Sequence, residues 1–192
     1  MVDKGDIDLA RYCLEAFYRN NQQVSPRVPE EMKTGTWEDD GWSHWQLIPS
    51  RVSEADVAAI EDMLPFSLPP LFRAILVSYF ALDMTIGEFS LPEMPSDDPL
   101  SEVKAYLIRP TLWAIGYAPF AGNVEGDPVC FDLRADAPNG DYEIVVINHD
   151  MIVPYENWAH RELVEPHAKR LARSFRDFFI TLCLGEQAST SR

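Results

Sequence analysis

Ile7, Leu9, Ala10, Cys13, Leu14, Phe17 and Tyr18 recur at helical spacing, which predicts an amphipathic helix over residues 6–20 whose apolar stripe must dock on something. Residues 22–44 carry Pro26, Pro29, Gly35 and Gly41 with no sustained period, and read as a connector or lid. Ser53-Glu-Ala-Asp56 is an acidic capping box. It opens a helix with a face of Val57, Ile60, Met63 and Leu64, which Pro65 ends. Pro69-Pro70 then starts a second helix carrying Leu71, Phe72, Ile75, Leu76, Tyr79 and Phe80 on a broad apolar face. Two short helices packed as a hairpin follow.

From residue 85 the period changes. Ile86, Phe89 and Leu91 suggest a strand, and Pro92 to Pro99 form an acidic loop. Residues 100–108 are ambiguous between helix and strand, with Glu102, Lys104 and Ala105 favouring helix. Leu112–Ala121, Val129–Leu133 and Tyr142–Ile147 are strand candidates for one antiparallel sheet, the last behind an Asn139-Gly140 turn. Ile152-Val153 could add an edge strand before Pro154. Ala168–Leu184 carries the strongest helical pattern, with Leu171, Phe175, Phe178, Phe179 and Leu182 on its apolar face and Gly185 as the stop. The expected class is α+β, a mixed and mainly antiparallel sheet with helices packed around it. The expected organisation is an N-terminal helix and connector over residues 1–44, one domain over 45–185, and a flexible tail over 186–192.

The 192 residues include 16 Lys or Arg against 31 Asp or Glu, a formal charge of −15. Such a balance repels phosphate backbones and anionic lipid, and so argues against direct nucleic-acid or membrane binding. It would speed encounter with a basic protein, although an acidic surface commonly serves solubility alone. Cys13, Cys130 and Cys183 are odd in number, far apart and set in apolar contexts, which points to reduced, buried thiols and not to a disulfide framework or a zinc site. The N-terminus has no basic stretch before an apolar run and no segment is apolar for a bilayer's thickness, so a cytoplasmic protein is expected.

Candidate chemistry is sparse. No glycine-rich phosphate loop, His-Glu-x-x-His or Cys-x-x-Cys occurs, so no cofactor and no metal is expected. The sharpest catalytic arrangement would join Cys130 as nucleophile to His149 as base, oriented by Asp150 or Asp132. Cys130 sits mid-strand between Val129 and Phe131, where a small buried side chain belongs, and a protein without enzymatic activity is expected. Glu125, Asp127, Asp132, Asp136 and Asp141 crowd the turns between strands, at spacings that do not match a calcium loop. They read as a solvated acidic rim suited to a partner's Arg and Lys. Trp37, Trp42 and Trp45 either cover a core edge or face a partner, and Trp42 is the candidate anchor.

Trp45-x-Leu47-Ile48-Pro49 with the Ser53 helix, Leu64-Pro65 to Tyr79, and above all Pro119-Phe120-Ala121 through Gly126-Asp127 to Cys130-Phe131-Asp132-Leu133 resemble the SUKH superfamily of α+β domains, found widely among bacterial immunity proteins. Asn139-Gly140, Val145-Val146, His149-Asp150 and Ser174-Phe175-x-x-Phe178 continue the resemblance, which covers roughly residues 42–184. Two features depart from it: Ala81-Leu82-Asp83-Met84 stands where such proteins commonly have Asn-Gly, and the helix at 6–20 is an addition. The resemblance implies a binding domain that blocks a toxin domain, often a nuclease or deaminase. A scaffold or regulatory interaction module of the same fold is the alternative.

Overall fold

The computed structural model describes residues 2–19, 23–36, 41–134, 137, 140–151 and 161–188. Helix α1 (Lys4–Arg19) begins the chain, with Ala10, Cys13, Leu14 and Tyr18 buried. The stretch expected as a connector or lid folds into a small antiparallel sheet of β1 (Val24–Ser25), β2 (Lys33–Thr36) and β3 (Ser43–Trp45), in the order β1-β3-β2. Strands of two to four residues are too short to write a period into a sequence interrupted by proline and glycine. The short β4 (Ile48–Pro49) then leads to helix α2 (Glu54–Glu61), and α3 (Pro70–Ser78) follows with proline at its first turn. The capping box forms as the residues suggest: Asp56 N–H donates to Ser53 Oγ at 3.2 Å, and Ser53 N–H to Asp56 Oδ2 at 2.8 Å. Glu61 clamps the α2–α3 connection by accepting from Leu68 N–H and from the Arg73 guanidinium.

The expected second helix stops at Ser78, because Tyr79 and Phe80 form β5 (Tyr79–Phe80) against β4. The main sheet is six-stranded and every pairing in it is antiparallel. In spatial order it runs β11 (Ala168–Ala172), β10 (Ile144–Ile147), β9 (Pro128–Asp132), β8 (Tyr117–Asn123), β7 (Phe89–Ser90) and β6 (Thr85–Ile86). Helix α4 (Ser101–Leu107) resolves the ambiguous stretch, and α5 (Pro110–Trp113) takes the start of a predicted strand, because Pro110 suits a first helical turn and a strand interior poorly. Helix α6 (Arg161–Val164) precedes β11, and α7 (Phe175–Ala188) closes the described fold. The terminal helix thus starts seven residues later than its apolar pattern and runs beyond the expected tail boundary at 186. Asn139 and Ile152-Val153 lie outside the described residues.

Two apolar layers flank the sheet. On one face Phe120 and Phe131 stack at 4.3 Å between ring centroids and meet Phe72 of α3 and Phe175 of α7 edge-on, in a core that also takes in α1. Edge-to-face and offset packing of four rings holds the helices at a fixed height over the sheet. On the other face Tyr117, Cys130, Val145 and Ile147 pack under Leu112, Ile115 and Val164. The short α5 and α6 leave part of this second face uncovered, and there the sheet bounds a cleft.

Candidate functional site: a cleft beneath paired hairpin tips

The cleft encloses about 530 Å³. Pro119, Ala121, Pro128 and Leu112 give it an apolar floor, Tyr106, Arg109 and Thr111 line one wall, and Asn123 and His149 line the other. Tyr106 and Thr111 reach it because α4 and α5 lie against β8. Asn123 builds the β8–β9 turn: its Oδ1 accepts from Glu125 N–H at 3.0 Å and Asp127 N–H at 2.8 Å, and Gly126 takes φ 85°, a left-handed conformation that suits glycine. Val124 N–H donates to the Glu88 carbonyl at 2.9 Å, joining this tip to that of the β6–β7 hairpin. The joined tips present Val124, 71% exposed, between the exposed Glu88 and Glu125.

The acidic turn residues divide between three places. Asp127, expected in a solvated rim, is buried, and its Oδ1 accepts from the backbone N–H of His149 at 2.8 Å and lies 2.7 Å from the ring Nδ1. Burial alone would raise its pKa, but the His149 and Asn123 hydrogen bonds outweigh burial and hold the carboxyl below its ordinary range. The same contact, helped by Asp150 and Glu125, raises the His149 imidazole, whose Nε2 lies 3.3 Å from Asp150. Asp132, at the opposite end of β9, is also buried and accepts from Arg134 through both backbone and guanidinium. Arg134 in turn stacks over the Tyr117 ring and bonds Glu165 at 2.7 Å. Asp141 accepts from Phe175 N–H at 2.8 Å and caps α7. Turn carboxylates face inward here because each finds an unsatisfied backbone N–H or a cation that burial would otherwise strand.

Of the predicted site residues Glu125 is exposed beside the cleft, and Trp42, 41% exposed, lies in the separate three-stranded sheet region. Asp136 and Trp37 lie outside the described residues. Trp45 is buried edge-on against Tyr18. Cys130 is fully buried, and desolvation pushes its thiol far above the ordinary value, while His149 is engaged with Asp127. Sequence reasoning passed over Glu88, Val124, Tyr106 and Arg109. An Asn-x-x-Gly turn with an apolar residue at its tip was the one available signal for Val124.

The antiparallel sheet, its one helical layer and the half-covered second face define an α+β domain of the SUKH kind. Residues 51–181 match the SMI1 / KNR4 family (SUKH-1), and the chain belongs to that family. No curated protein matches the chain. Helix α1 and the three-stranded sheet precede the matched span. Among the described residues no helix is long and apolar enough to cross a membrane.

Proposed function

We propose that this chain is a non-enzymatic, cytoplasmic immunity-type protein that binds a basic toxin domain, of nuclease or deaminase type, and blocks its active site. The joined hairpin tips carry the reading: a 71% exposed Val124 flanked by Glu88 and Glu125 at the mouth of a cleft, on a chain of net charge −15. An exposed aliphatic side chain between carboxylates suits a cationic surface that offers one apolar contact, with the charges accelerating encounter. Family membership supports a protein partner. Trp42 would add a second, separate contact.

The test is coexpression with basic toxin domains encoded beside the gene, followed by binding kinetics at rising salt. Growth rescue is expected, with affinity falling about tenfold or more as salt rises. Glu88→Lys with Glu125→Lys should slow association about tenfold and change dissociation little. Absence of rescue by any such pair defeats the reading. A protein partner bound with no salt dependence would favour the scaffold or regulatory alternative.

A further inference from the structure

The cleft over the second face of the sheet differs in charge from the rest of the molecule. The chain carries 31 Asp or Glu, yet among the described residues no carboxylate lines this cleft, whereas Arg109 and His149 do. Asp127, between the lining residues Gly126 and Pro128, commits its oxygens to His149 and Asn123, and Glu125 stays at the exposed tip. The cleft of about 410 Å³ where α1, α3 and α7 meet is built the opposite way: Asp6 and Asp141 line it beside Arg173 and Arg176, and Asp6 takes Arg176 as its partner. An anion there would meet carboxylates already in place. One wall of the first cleft also holds unused donors. Tyr106 and Thr111 offer hydroxyls and Arg109 a guanidinium, and among the described residues none of these three side chains has a hydrogen-bond or ion-pair partner. Tyr106 reaches over the floor, its Oη 3.7 Å from the position that a Cβ on Gly122 would take.

We propose that this cleft is a binding site for a carboxylate carried on an apolar body, with the Arg109 guanidinium pairing the carboxylate, the Tyr106 and Thr111 hydroxyls donating to it, and the apolar part lying on the floor of the sheet. A guanidinium matches both carboxylate oxygens with one fork of N–H groups, and the lone pairs left over accept from hydroxyls. At about 530 Å³ the cleft has the size of small-molecule sites, which join a mainly apolar surface to a few placed polar groups. A dianionic phosphate fits less well, because one lining arginine would have to offset the field of a chain of net charge −15. Two sources share the chemistry: a free aromatic acid, and the C-terminus of a peptide that ends in an apolar residue. The site stands independently of the toxin-binding reading, since Glu88, Val124 and Glu125 lie outside its lining.

The probe is phenylacetate, titrated into the full-length protein and followed by amide NMR shifts, with phenylacetamide as nearly the same body without the charge. The acid should bind with a Kd of about 0.1–5 mM, the range open to so small a ligand, and move the Gly122 and Asn123 amides, while the uncharged probe binds about tenfold or more weakly. Arg109→Gln should weaken the acid about tenfold or more and leave the uncharged probe as it was. Lys104→Gln makes the same charge change at an exposed position of α4 and should alter neither. Gly122→Leu, whose side chain would enter the space beside Tyr106, should abolish binding of both. An acetylated tripeptide ending in phenylalanine separates the sources: tighter binding than phenylacetate assigns the site to a chain terminus, weaker binding to a free acid, and both keep the carboxylate site. Equal binding of acid and amide, shifts confined to other surfaces, or no saturation up to about 20 mM would overturn the proposal, and each is read on the native chain.

Discussion

Asp127 takes a backbone N–H and an imidazole from His149 on a single oxygen while its other oxygen meets the Asn123 amide. Because the imidazole's folded pKa is raised above its ordinary 6.5, its contribution to stability is full below that pH and fades as pH rises through the folded value. The depressed Asp127 carboxyl works the other way: its contribution is present above its ordinary 3.8 and is lost as pH falls through the folded value. The pair is strongest between those two limits. Asp127→Asn should bring the His149 pKa back toward 6.5 and flatten the loss of stability above it, followed by NMR titration of the imidazole. A His149 titration unmoved by the substitution would show that the contact is not charge-bearing. At this scale the sequence gives charge without direction. It places Asp127, Asp132 and Asp141 in turns, but nothing in residue type tells that each faces a backbone N–H or an arginine, whereas Glu125 of the same series stays in solvent.

Ala168 to Ala172 have good helix formers among them and continue the apolar pattern of α7, yet they form the edge strand paired to β10. Tertiary pairing overrides propensity here, since β10 is buried and needs ladder partners on both sides. The helix is then started afresh at Ser174: Asp177 N–H donates to Ser174 Oγ at 3.0 Å, and Asp141 takes Phe175 N–H from across the fold. Ser174→Ala should cost about 1 kcal/mol, the ordinary loss of an N-cap. Asp141→Ala should cost more, about 1–3 kcal/mol, because the amide it leaves is the half-buried start of a helix whose Phe175 is fully buried. Urea unfolding of both variants gives the ranking, and equal costs would show that the long-range cap adds nothing. Elements with a long, uninterrupted face, such as α1 and α3, were legible. Those set by a neighbour, such as β11 and the three-stranded sheet, were not, because the information that selects them lies elsewhere in the chain.

The two departures from the family pattern prove to be one feature of the whole molecule. Asp83, in the loop where the sequence departs from the SUKH resemblance, adopts φ 45°, a left-handed conformation that costs a non-glycine residue about 1 kcal/mol. Around it Glu93 accepts from Asp83 N–H at 2.9 Å, and Tyr18 of the added helix α1 donates its hydroxyl to the carbonyl of Leu82 at 2.7 Å. That hydroxyl also lies 3.2 Å from the Asp83 carbonyl, and the Tyr18 ring is buried against Trp45. Helix α1 is further tied to α3 by packing and to Tyr79 through Glu15 at 2.5 Å. The extension therefore acts as part of the core, and it supports backbone strain that glycine would have relieved. Tyr18→Phe keeps the ring and removes only the hydroxyl, leaving the buried Leu82 carbonyl without that donor. The expected cost is about 1–3 kcal/mol, a fall in melting temperature of roughly 3–10 °C. Combining it with Asp83→Gly should recover part of the loss, because the loop then no longer needs to be held. Calorimetry of the two single variants and the double variant separates the cases: strictly additive effects would mean that the helix and the loop are independent, and a Tyr18→Phe protein as stable as the parent would remove the hydroxyl from any part in holding the strained turn.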